Sequence, residues 1–204
     1  MMNRLMTKRR GLTACAVLLC GMSVVRAAPM PQAPAGPKVV HKAPTRAERL
    51  AELEAQLSKA EGAHAASLRE SAESLRLQGL KGGTRLLLQS ADAALSKRDF
   101  QAAERYLTTA LALQDDQPIL RRQRGALRLA AGDFDGAVED LLVCTTNDAA
   151  DTQAWSLLID AELQRHQPEL AWNALQSLKM HDPSAPGLDK VEDTVKHQRD
   201  GQED

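Results

Sequence analysis

Two stretches of this chain match each other at a distance of 34 residues, and that spacing restricts the fold more than any other property. "RDFQAAERYLTTA" (Arg98–Ala110) returns as "GDFDGAVEDLLVC" (Gly132–Cys144). Phe100 aligns with Phe134, Ala103 with Ala137, Leu107 with Leu141 and Ala110 with Cys144; Ala171 and Leu175 carry the grid into a third copy. A unit this short cannot bury an apolar face by itself. Stacked copies bury a continuous core, which makes the expected product a solenoid.

The units are helical by pattern. From Thr84 to Met180 apolar residues recur at three- and four-residue spacing with no period-two run, so helices are expected and strands are not. The expected helices are Thr84–Lys97, Asp99–Leu113, Pro118–Ala131, Asp133–Cys144, Thr152–Arg165 and Pro168–Met180, in three units at 84–117, 118–151 and 152–185. Pro118 sits at a first turn, where its missing N–H costs nothing. Small residues at Ala91, Gly125, Ala103, Ala137 and Ala171 let paired helices approach closely, while the aromatics fill the wedge between them. Cys144 takes the place of Ala110 one unit earlier and reads as a small core residue.

The flanks have different characters. "APMPQAPAGPKVVHKAP" (Ala28–Pro44) holds five prolines and reads as an extended linker. Residues 45–78 read as helix, with Thr45 and Glu48 in capping-box spacing. Leu50, Leu53, Leu57 and Ala60 keep the spacing of a coiled-coil seam, and Leu68, Ala72 and Leu75 resume on a shifted frame. That segment is expected to pack on its own domain, with self-association through 45–78 as the alternative. Lys81–Gly83 marks the boundary with the repeats. Residues 186–204 read as a polar cap or tail, the kind of end a solenoid requires for solubility.

The first 27 residues have the three parts of a secretory signal: cations at Arg4, Lys8, Arg9 and Arg10, an apolar run from Gly11 to Val25, and small residues before a cut after Ala27. The apolar run is short for a membrane anchor, which needs about 20 residues. "LTAC" (Leu12–Cys15) resembles a lipoprotein box but stands at the start of the apolar run instead of following it. Cys15 and Cys20 leave with the signal, and Cys144 has no partner for a disulfide. Five cations leave as well, so the mature chain carries an excess of about six negative charges, which argues against a general nucleic-acid binder.

The period, the paired helices and the residue grid together resemble the tetratricopeptide repeat, over about half of the chain. The resemblance implies an all-α, right-handed solenoid of helical hairpins in an exported bacterial protein. Its core positions fall on Ala91, Phe100, Ala103, Leu107 and Ala110 in the first unit. The second supplies Gly125, Phe134, Ala137, Leu141 and Cys144, with Arg121 where Trp is usual. The third supplies Trp155, Ala171, Leu175, Leu178 and Pro183, with departures at Ile159 and Pro168. The resemblance also implies a concave groove lined by the first helix of each unit. Its places fall on Arg85, Leu88, Asp92, Leu95 and Ser96; then Ile119, Arg122, Ala126, Leu129 and Ala130; then Gln153, Ser156, Asp160, Leu163 and Gln164. Leu95, Leu129 and Leu163 would form an apolar stripe, flanked by charges of both signs that face solvent. Such a strip suits an extended or helical peptide. The competing expectation is that residues 45–78, or the C-terminal tail, fold into the groove. The basic clamp that some relatives use for acidic C-termini is missing at these places.

Motifs for chemistry are lacking. His41, His64, His166, His181 and His197 have no metal-ligand spacing, and neither C-x-x-C nor H-E-x-x-H occurs. "GLKGGT" (Gly79–Thr84) lacks the order of a phosphate loop. The acidic pairs Asp115–Asp116 and Glu139–Asp140 read as solvated surface. No catalytic residue, cofactor, metal or nucleic-acid partner is expected. The reading is a periplasmic, non-catalytic scaffold whose partner is another envelope protein or peptide segment. The alternatives are a structural component of an outer-membrane-associated secretion, pilus or division complex and, more remotely, an enzyme acting on envelope polymers.

Overall fold

The computed structural model describes residues 42–201. The expected signal (1–27), the expected linker up to His41 and the last three residues of the tail lie outside the described residues. Among those described there are nine helices and no strand. The repeats supply α3 (Gly82–Ser96) to α8 (Pro168–His181) in three hairpins: α3 with α4 (Phe100–Leu113), α5 (Pro118–Ala131) with α6 (Phe134–Asn147), and α7 (Thr152–Gln164) with α8. Each hairpin closes on itself, and α4 and α6 then pack on the first helix of the next unit. This is a helical-hairpin solenoid.

The turn inside each hairpin shows the 34-residue grid in the backbone. Arg98, Gly132 and His166 each adopt the left-handed conformation, with φ of 59°, 83° and 58°. The next residue's N–H then bonds back five residues, from Asp99 to Ala94, Asp133 to Arg128 and Gln167 to Glu162, each at 2.9 Å. This is the Schellman closure of a helix end. Glycine adopts the conformation freely; Arg98 and His166 occupy it with a side chain to accommodate. Asp99 and Asp133 then cap the second helices, accepting from the N–H groups of Ala102 and Gly136.

The expected core positions are where the hairpins touch. Ala103, Ala110, Ala137, Leu141, Cys144, Ala171 and Leu175 are fully buried, Ala91 nearly so, and Phe100, Phe134 and Trp155 are half-buried at the edges. At Gly125 a Cβ would lie 2.8 Å from Leu141 Cγ and 3.3 Å from the Ala137 carbonyl, so α5 and α6 meet there without room for a side chain. Ala137 sits in that contact. Ala137→Leu is expected to overpack it and lower stability by roughly 1–3 kcal/mol in a denaturant melt. Burial and the neighbouring Asp151 push the Cys144 thiol well above its ordinary pKa, so it stays protonated, in keeping with a packing role.

The N-terminal segment differs from expectation. It is two helices, α1 (Arg46–Leu57) and α2 (Gly62–Gln78), packed on each other as a hairpin. The chain leaves α1 at Ser58 and turns back at Gly62, whose φ of 55° ends any continuous seam. Leu57, Ala60, Ala65 and Leu68, with Leu53 against them, form a small core of their own. The capping box at Thr45 and Glu48 is present. At the other end, α9 (Leu188–Asp200) packs on α8, buries Val195 and sets Leu188 and Val191 against the same core, closing the stack with a mostly polar helix.

A second departure concerns charge. Asp140, read as solvated, is 1% exposed. Its carboxylate accepts from Arg124 Nε at 2.7 Å and from Arg121 Nη1 at 3.1 Å, and it pairs with Arg128 Nη1 at 3.0 Å. All three arginines lie on α5, so α5 and α6 are joined by a charged cluster as well as by the glycine contact.

Candidate protein-interaction groove

The turns that leave the three units carry equivalent polar residues: Gln114, Asp148 and Asp182, again 34 apart. All three are engaged by α2 or the turn that follows it. Arg69 Nη1 donates to both Asp182 oxygens at 2.9 and 3.0 Å. Arg76 donates to Asp148 through Nε at 2.7 Å and Nη2 at 3.0 Å. Gln114 accepts from the Lys81 N–H at 3.0 Å and donates to the Gly79 carbonyl at 2.8 Å. Arg69 and Arg76 are seven residues apart, about 10.5 Å along a helix. One such interval of α2 therefore spans one unit of the stack. α1 runs the same edge in the opposite direction, with Arg46 on Gln117 at 2.8 Å and Glu54 on His181 Nδ1 at 2.8 Å.

This strap decides which groove residues remain accessible. Arg122, expected to face solvent, is 1% exposed. Its Nη1 donates to both Asp151 oxygens at 2.9 Å, and its Nη2 donates to Glu73 of α2 at 2.6 Å. Burial by itself would lower the guanidinium's pKa; Asp151 and Glu73 more than offset it and hold the group charged. Leu88 and Ile119 are buried in the core of the first two units and are not on the open strip. Both face the hairpin interior, with Ala91, Leu107 and Leu120 in the same core cluster. Arg85 turns toward the Leu77 and Leu80 carbonyls at the end of α2. Gln153 and Ser156 border a cleft of about 410 Å³ with Glu73, Arg76 and Arg122.

The other half of the groove is open. Leu95, Leu129 and Leu163 are half-buried on successive first helices, and Asp92 and Asp160 are exposed one turn before them. Between α5 and α7 lies a cleft of about 670 Å³, lined by Ala126, Leu129, Phe134, Leu157, Asp160 and Gln164 among others, with no residue of α1 or α2. The arrangement offers apolar contact beside the polar side chains of Asp160 and Gln164.

No protein-family model matches the chain, and no curated protein matches it in sequence. Among solved structures it is similar to the Arabidopsis OM64 TPR domain, with a TM-score of 0.54 and 15% identity, over 60% of this chain and 98% of that domain. The fold is a tetratricopeptide-like solenoid.

Glu73, Arg69, Arg76, Asp148 and Asp182 were absent from the expected site. A signal for them existed: a polar residue on a 34-residue grid in the repeats, and arginines on a seven-residue grid in the preceding helix.

Proposed function

We propose that this chain is an exported, non-catalytic scaffold of the bacterial periplasm that holds a helix or peptide of another envelope protein in the open half of its groove. The observation that carries the reading is the stripe of Leu95, Leu129 and Leu163, which stays accessible beside the 670 Å³ cleft while the strap covers the other half. Apolar pockets would supply the energy of binding, and Asp92 and Asp160 its register. Export rests on the signal-like first 27 residues.

Leu129→Asp tests the groove. It puts an unpaired carboxylate against apolar partner surface, so the partner that co-purifies with the parent protein from its envelope should be lost. The helical circular dichroism should be retained, because Leu129 lies at the edge of the core. Undiminished co-purification would remove the groove as the binding site. Mass measurement of the cellular protein checks export on the same sample, with a chain starting near Ala28 as the expected result.

A further inference from the structure

The α1–α2 hairpin has a second face. Its inner face is occupied: Glu54 meets His181, Glu73 meets Arg122, and Arg69 and Arg76 meet the turns that leave the units. Its outer face holds a cleft of about 800 Å³, lined by residues of the hairpin and Pro44 and by none of the repeats. Leu53 and Leu75 provide its apolar surface, half-buried on facing helices. These are two of the residues that looked like a coiled-coil seam. The hairpin's own small core leaves both with an open side.

The rim is acidic. Glu48 and Glu52 project from α1 and Glu70 from α2, with Arg49 as the one cation of the lining. None of the three carboxylates forms an ion pair among the described residues. Glu48 serves the capping box, and Glu52 accepts from Gln56 on its own helix. The contrast with Glu54, two residues after Glu52, and Glu73, three residues after Glu70, is one of face: the inward carboxylates meet a basic side chain of the repeats, and the outward ones do not.

We propose that this cleft docks a cationic amphipathic helix of a partner protein. A groove between two helices accepts a third as in a helical bundle, with the incoming apolar stripe on Leu53 and Leu75. Lysines or arginines beside that stripe fall opposite Glu48, Glu52 and Glu70, which steers and orients the approach. The site is separate from the solenoid groove, so the chain joins two partners on opposite sides of the strap.

The test uses three labelled peptides and the purified protein. One is an amphipathic helix of Leu, Ala and Lys, one replaces Lys with Glu, and one scrambles the first so that charge persists without an apolar stripe. Fluorescence anisotropy should show saturable binding of the first peptide alone. Glu52→Lys combined with Glu70→Lys should weaken it about tenfold or more, and the double Gln variant by less. Both side chains are exposed, so the fold should be unaffected by circular dichroism. Leu129→Asp should leave this binding unchanged, which separates the result from the solenoid groove. Equal binding of the scrambled peptide, indifference to charge reversal, or loss of binding with Leu129→Asp would each overturn the proposal.

Discussion

Replacing Arg122 with alanine is expected to lower the free energy of unfolding by roughly 3–5 kcal/mol, measured as a fall in the denaturant midpoint. The effect comes from what is left behind. The Asp151 side chain is 1% exposed, and Arg122 is its bidentate partner at 2.9 Å. Asp151 also caps α7 through the Ala154 N–H, so it cannot turn out to solvent without uncapping that helix. Arg76 Nε, 3.7 Å away, offers partial relief and places the loss toward the lower end of the range. Glu73→Ala should cost far less, because the Glu73 side chain is 35% exposed and its removal leaves Arg122 with Asp151. Equal losses for the two variants would mean that the strap contact, and not the buried carboxylate, dominates.

Asp140→Ala should be nearly as damaging, about 3 kcal/mol, for the opposite reason: it leaves three guanidiniums around one missing carboxylate. Arg121, Arg124 and Arg128 side chains are 30%, 12% and 20% exposed, so water moderates their repulsion. Glu104 remains available to Arg128 at 2.8 Å. Arg121→Ala, by contrast, removes one of three partners and should cost well under about 1 kcal/mol. Thermal or denaturant melts of the two variants check the asymmetry. Similar small losses would show that the cluster is solvated as ordinary surface.

The solenoid was legible because its information is periodic. Phe100 and Phe134, and Ala103, Ala137 and Ala171, repeat on one grid, and each copy reinforces the others. The helix limits followed closely, Pro118–Ala131 without change. The burial of Arg122 was not legible by the same means. A charged residue on the first helix of a unit reads as solvent-facing, and within its own unit that inference is sound. What buries it is α2, an element outside the repeat. Asp140 was misread for a related reason: a carboxylate beside Glu139 on an amphipathic helix looks exposed until three arginines of the neighbouring helix are placed around it. The break at Gly62 was hidden because the Leu and Ala pattern continues on both sides of it, shifted in frame.

The match between seven residues of α2 and one unit of the stack has a mechanical consequence. An array of hairpins that touch only their neighbours behaves as a spring: it can bend, stretch and fray one unit at a time. Here α2 is tied to Gln114 through its closing turn, to Asp148 through Arg76 and to Asp182 through Arg69, in the first, second and third units. Changing the spacing of the units would pull these ties out of register together. The strap therefore acts as a chord across an arc. It fixes the spacing of the units beside the proposed groove, and it couples the terminal units so that they are expected to unfold together.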